Sequence, residues 1–337
     1  MLEVFFFATS AILPIMLLIL LGYFLKLINI YDDEFLRTAN KLVFYVFLPV
    51  MLFYNIYGID NLEVIDFNAL LYAMFIIVSI FLLGLATVVF LVKDPRQKGV
   101  VLQCTFRSNF AIIGISLAEA LGGSRAMANA AVLSAFTIPL FNVLGVISLS
   151  MFSKQKNDSI NWRKIIKDII KNPLIIGVVA GLIALVLRSF IPVNQEGKHI
   201  FTIADNLPFV YKAIENLAKI ASPLALIVLG GQFSFKAANK MLSMVFLGTL
   251  WRIVLAPLLA LTGAVILTKS GLVVFGAAEF PAFIALFGSP VAVSSSIMAG
   301  AMGGDEQLAG QLVVWTSIGP IATIFLQVVV LRFMGVL

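Results

Sequence analysis

Only 12% of the residues are charged, and the chain holds a single cysteine, Cys104, and a single histidine, His199. The lone cysteine excludes an internal disulfide and a multi-cysteine metal site. The lone histidine excludes a histidine ligand cluster and leaves no ready general base. A soluble domain of this size would carry about twice this fraction of charge. There is no low-complexity tail, no polar domain, no Gly-rich phosphate loop and no aspartate-rich pair. No catalytic constellation emerges, so the chain reads as a non-enzyme with no cofactor and no metal. The net charge of +6 does not point to nucleic acid, because the lysines and arginines are spread over short loops.

What is present is apolar sequence. Hydrophobic residues make up 61% of the chain, which places it among all-α polytopic membrane proteins. Spans of roughly 20 apolar residues are expected near 4–28, 37–57, 67–92, 98–121, 126–152, 173–191, 211–234, 241–268, 272–301 and 306–334. The N-terminus runs from Met1-Leu2-Glu3 straight into apolar sequence without a positive leader, so the first span is read as retained. Loop charge sets the orientation. With the N-terminus outside, inside loops hold 14 of the 23 lysines and arginines and outside segments hold seven. The loop 58–66 carries Asp60, Glu63 and Asp66 and no base, as an outside loop can. Both termini are therefore expected outside, in a multi-pass protein of the cell membrane.

The chain repeats itself. Residues 107–139 align with 288–320 at a constant shift of 181, and nine of the 33 pairs are identical, including Gly122/Gly303, Gly123/Gly304 and Pro139/Pro320. Further landmarks are Pro14 with Pro173, Gly22 with Gly181, and Pro49 with Pro223. Each copy holds five predicted spans. Since five is odd, the second copy enters the membrane from the opposite side, giving two inverted repeats, 1–152 and 172–337. The segment 153–171 joins them. Trp162, Ile165, Ile166, Ile169 and Ile170 recur there at helical spacing among Arg163, Lys164, Lys167 and Lys171. This reads either as an amphipathic helix on the anionic inner surface or as a solvated linker.

The fourth and ninth spans are interrupted at matching positions. Ser289-Pro290 reads as a helix start, with Ser as N-cap and Pro at the first helical position, so a half-helix is expected from about Val291. Asn109, in Arg107-Ser108-Asn109, stands at the equivalent place, and Asn is also a good N-cap. Two half-helix N-termini would then face each other near the midplane, each with roughly half a positive charge. Such a pair suits an anion, most simply a carboxylate, and matched interruptions in a repeated membrane chain point to a transporter site.

Other polar residues lie within spans. Arg107 either meets the substrate anion or snorkels toward the inner face, and Arg252 needs a carboxylate or helix carbonyls as partner. Ser294 and Ser295 follow the second break within a turn. Asn55, Asn142 and Gln232 could each reach a central cavity or serve as helix–helix glue. Glu279, Glu119 and Glu306 fall at or near span ends.

The stretches FRSNFAIIGISLAEALGG (106–123) and SPVAVSSSIMAGAMGGDEQLAGQLVVWTS (289–317) resemble the auxin efflux carrier family, which includes plant PIN-type carriers and bacterial permeases assigned to malate or malonate. KLVFYVFLPVMLF (41–53) and NPLIIGVVAGL (172–182) resemble its second span and the opening of its second half, and the likeness covers essentially the whole chain. It implies crossed broken helices in spans four and nine, with Asn109 and Pro290 at the crossover. It also implies a scaffold of spans 1, 2, 6 and 7, a transport domain of spans 3–5 and 8–10, and elevator-type alternating access. The plant members carry a Pro near the first crossover; here none lies between Pro95 and Pro139.

The expected function is secondary transport of a small organic anion, a carboxylate or dicarboxylate. Its candidate site is Arg107, Ser108, Asn109, Ser289, Pro290, Ser294, Ser295, Asn55, Asn142 and Gln232. A sodium-coupled symporter of the bile-acid type and a non-transporting membrane sensor are the alternatives. A coupling proton or sodium ion and a homodimer are left open.

Overall fold

The computed structural model describes residues 2–58, 66–152, 162–193, 200–233 and 241–337. Asp60, Glu63, His199, Lys154, Lys156, Lys198, Lys236, Lys240 and the first part of the linker, 153–161, lie outside the described residues. Among those described, the regular structure is helical, without a strand.

Helix α1 is Leu2–Leu27. Helix α2, Asp33–Tyr57, passes through a π-turn at Val43–Phe47 and starts on Asp32, whose carboxylate accepts from the Phe35 N–H. Helix α3, Phe67–Leu91, starts on Asp66 in the same way. Helix α4, Pro95–Phe106, starts on Asp94 with proline in the first turn, where the missing N–H is harmless. A π-turn at Phe110–Gly114 then leads into α5, Ile115–Met151, which folds back at Gly123 (φ 68°). The linker helix α6 is Trp162–Lys171, tied to α5 by Ser150 donating to Asp168 at 2.9 Å. Helices α7 (Pro173–Ser189), α8 (Ile203–Asn206), α9 (Pro208–Gln232) and α10 (Leu242–Lys269) follow. The chain ends with α11 (Glu279–Gly288), α12 (Ser294–Ala301), α13 (Glu306–Ile318) and α14 (Pro320–Phe333).

Among the described residues, five helices are long and apolar enough to cross a membrane: α2, α3, the Leu117–Met151 part of α5, α9 and α10. The 17-residue α7 reaches about 25 Å at 1.5 Å per residue. The predicted ninth span starts late. Gly271 (φ 72°) turns the chain after α10, and α11 begins only at Glu279. Glu279 is a helix-start residue: its carboxylate accepts the Gly276 N–H at 2.7 Å and the Asn129 amide at 2.8 Å. Glu119 is exposed.

Small residues set the packing. Gly22 of α1 sits on the backbone of Ile227 in α9, and Gly230 of α9 sits on Ile19 of α1. Gly177 and Gly181 of α7 lie against Pro49 and Ile56 of α2. A Cβ built at Gly230 falls 1.9 Å from the Ile19 carbonyl oxygen, so only glycine permits this approach. Elsewhere α11 is enclosed from Phe280 onward, with Phe280, Phe283 and Phe287 at most 1% exposed. Phe283 and Phe275 pack edge to face against each other and at a tilt against Tyr72 of α3.

Candidate functional site

The two interruptions meet. Ser108 and Val291 form an isolated antiparallel bridge. Asn109 N–H donates to the Pro290 carbonyl at 2.8 Å, and Ala292 N–H donates to the Arg107 carbonyl at 3.3 Å. The Val291 N–H finds the Thr316 hydroxyl at 3.1 Å. Non-helical backbone inside a membrane protein persists only where its polar groups are satisfied, and here each break supplies partners for the other.

The ends of the incoming half-helices share one cation. Arg252 is 0% exposed. Its Nε donates to the Ser289 carbonyl at 2.9 Å, and Nη1 to that of Phe106 at 3.1 Å. Its Nη2 donates to the carbonyls of Leu286 and Phe287 at 3.1 and 2.7 Å. The C-terminal, electronegative ends of α4 and α11 are thus neutralised by a single guanidinium carried on a π-turn, Trp251–Leu255. Of the two partners expected for Arg252, helix carbonyls are the ones found.

On the other side of the bridge lies a narrow cavity, with about 50 Å³ open to the centre of a water molecule. Arg107, Ser108, Asn109, Asn142, Ser222 and Ser294 form its polar wall. Leu48, Met51, Leu52, Ile138, Phe141 and Leu174 are among the residues of its apolar wall. Arg107 is 2% exposed, so it does not snorkel to the inner face. Its Nη1 meets the Gln103 side-chain carbonyl at 2.5 Å and the Met298 sulfur at 2.8 Å. Its Nη2 donates to Asn142 at 2.8 Å and to Ser294 at 3.0 Å. Every one of these partners is neutral. A buried guanidinium without a carboxylate is an unbalanced charge.

Asn109 occupies the cap position of the outgoing half-helix, but its side chain makes no capping bond. It is 4% exposed, and among the described residues its side-chain amide makes no hydrogen bond while lining the cavity. Its backbone does the joining instead. This corrects the expectation of a side-chain cap.

The second break also differs from its sequence reading. Ser289 ends α11 rather than starting the next helix. It turns its hydroxyl back to the Ala285 carbonyl at 2.6 Å, and its ψ is 151°. Residues 290–293 make the bridge and one tight turn, and α12 starts at Ser294, not Val291. The physical reason is that the pairing with Arg107 and Asn109 outweighs the propensity of a Ser-Pro helix start. Of the ten candidate residues, Arg107, Ser108, Asn109, Asn142 and Ser294 line the cavity. The other five do not. Ser289 and Pro290 lie behind the bridge, Ser295 points to the opposite side beside Cys104, Asn55 is outside the cavity wall, and Gln232 binds Glu306. Sequence reasoning missed Gln103 and Ser222. Gln103 stands four residues before Arg107, one turn away on the same helix face, which was a usable signal; Ser222 had none beyond its neighbour Pro223.

Comparison with known proteins settles the class. The membrane transport protein family matches residues 7–328. The chain belongs to this family. It is the family of the auxin efflux carriers, as the stretches around Asn109 and Pro290 imply. An uncharacterized transporter, MJ1031, from Methanocaldococcus jannaschii is 24% identical over 269 residues, which are 78% of this chain and 81% of that protein. The protein is therefore a member of a membrane transporter family, with several helices able to cross a bilayer.

Proposed function

We propose that the protein is a secondary transporter of a small organic anion. The observation that carries this reading is Arg107, a buried guanidinium in a cavity with only neutral partners. A carboxylate arriving there would supply the missing negative charge, accept from Arg107 and Ser294, and meet the free amide of Asn109. The half-helices that begin beyond Asn109 and at Ser294 add their positive ends. The apolar wall would take the body of the solute.

In this reading the chain makes ten spans in two inverted five-helix repeats, with both termini outside. The scaffold is spans 1, 2, 6 and 7, and spans 3–5 and 8–10 form the transport domain, which moves as an elevator. Support comes from the glycine packing: α1 on α9 and α7 on α2 are the contacts that an inverted repeat would make equivalent, and Gly22 and Gly181 are matched landmarks. The cavity lies between the two groups, with Leu48, Leu174 and Ser222 on one and Arg107, Asn142 and Ser294 on the other.

The test is uptake of radiolabelled mono- and dicarboxylates into proteoliposomes, with and without sodium, after a thermal-shift screen of the same acids. Saturable flux of at least one acid above protein-free liposomes is the expected result. Neither flux nor a shifted melting temperature for any acid would overturn the proposal. Flux seen only with sodium would move the protein to the symporter class.

A further inference from the structure

A second buried polar cluster lies away from the anion cavity. Glu306, at the start of α13, is half-buried, and no lysine or arginine among the described residues pairs with it. Its Oε1 accepts the Asn40 side-chain amide of α2 at 3.0 Å and the Gln232 amide of α9 at 2.9 Å. Gly300 of α12 packs directly against the carboxyl group, since a Cβ there would fall 2.6 Å from Oε1. Asn40 is 8% exposed, and its own Oδ1 is buried without a hydrogen-bond partner. An orphaned buried acceptor is costly to leave unmade. The same amide already binds the Glu306 carboxyl through its Nδ2, so a proton on Glu306, donated as an O–H to Asn40 Oδ1, is a remedy at hand.

Among the described residues, the surrounding charges do not compete for that role. On α2, Arg37 and Lys41 are exposed. Asp305 is engaged by Gln97, and Arg96 of α4 donates to the Gly304 carbonyl. Asp168 and Lys171 of α6 lie beyond Met302. Tyr31, next to Gly231, bonds the Gly22 carbonyl. Helix α12 carries no charged side chain, nor does α9 within two turns of Gln232.

We propose that Glu306 is the site of a coupling proton, bound in the conformation described here and released when α12–α13 slide past α2–α9. The inference rests on the two-group reading above. A proton taken from bulk water converts the carboxylate to a neutral acid whose O–H satisfies Asn40 Oδ1. When α13 leaves Asn40 and Gln232, the carboxyl enters water, the O–H bond breaks and the proton returns to solvent. Proton binding and this conformation therefore favour each other by linkage. Lowering the pH shifts the population toward the state described here, and raising it releases that state.

Infrared difference spectroscopy on the purified protein tests the site without any substrate. On titration from acid to alkaline pH, the wild type should show a protonated-carboxyl carbonyl band that Glu306→Gln lacks. A band that survives in that variant, or no titrating band in the wild type, overturns the proposal. Gln232→Leu guards against a folding defect. It removes a donor whose bond to Oε1 is stronger when the carboxyl is ionised, so the band's midpoint should move to higher pH; an unmoved midpoint assigns the band to another group and also overturns it. In liposomes loaded with a pH dye, a malonate gradient should move protons through the wild type and not through Glu306→Gln. Malonate flux with no proton movement in the wild type removes the coupling role. Absence of flux of every acid with the band intact would instead fault the transport reading.

Discussion

Arg252 donates to the carbonyl of Ser289 at 2.9 Å from a helix that neither break belongs to. The same guanidinium reaches Phe106, Leu286 and Phe287. Replacing it by methionine keeps much of the volume and leaves four buried carbonyls without this partner. At roughly 1–3 kcal/mol for an unsatisfied buried group, Arg252→Met should lower the melting temperature in detergent sharply or abolish a monodisperse peak. Arg252→Lys should fall between, because three donors on one nitrogen cannot copy the fork. Wild-type stability in the methionine variant would show that the carbonyls are satisfied another way.

Arg107 should behave differently. Its partners are neutral, so its loss removes an unbalanced charge along with four polar contacts. We expect Arg107→Gln to fold and to melt within a few degrees of wild type, yet to bind carboxylates far more weakly. One charge-assisted hydrogen bond contributes about 1.5–3 kcal/mol, or roughly a tenfold to hundredfold weaker affinity. Isothermal titration of the best acid from the thermal screen measures it. Unchanged affinity would take Arg107 out of the site.

Asn109→Ala leaves every backbone bond of the bridge in place, because the side chain makes none of them. Transport should be lost while the melting temperature stays close to wild type. Asn109→Asp is the sharper case. It preserves shape and adds a negative charge facing the bound anion, so inhibition should be as complete as in the alanine variant. Retained transport by either one contradicts the assignment.

Gly230→Ala inserts a methyl group where the Ile19 carbonyl already stands at 1.9 Å from the built Cβ. Overpacking of this kind costs about 1–3 kcal/mol, and the α1–α9 contact must open. Loss of stability at this site, with little at the solvent-side Gly335 (φ 69°) when changed to Asn, would separate packing from backbone strain. Asn is chosen there because it tolerates the left-handed region.

The breaks were legible in the sequence because proline and capping residues interrupt apolar runs at one fixed repeat offset. The matched glycine pairs of the repeat fall at turns. Gly123 and Gly303 both adopt positive φ just after an outgoing half-helix, although the repeat alignment pairs Gly123 with Gly304. The cavity was half legible. Arg107, Asn109 and Ser294 lie close to the breaks and could be read from them. Ser222 belongs to a distant helix, and no local pattern reports which faces meet across the molecule. Ser289 misled for a related reason: its propensity to start a helix is local, whereas the strand-like pairing that follows it joins residues 290–292 to residues 107–109, between 181 and 185 positions away. Gln232 was singled out as a polar residue within a span; it is half-buried, and its partner is Glu306, a residue that looked merely interfacial.

The sharing of Arg252 has a consequence for how such a molecule can change over time. Two interruptions held by separate side chains could each change while sparing the other. Here a single side chain braces the severed ends of both. An altered codon 252 is therefore felt at both fractures at once, and neither can change its backbone without the consent of the other.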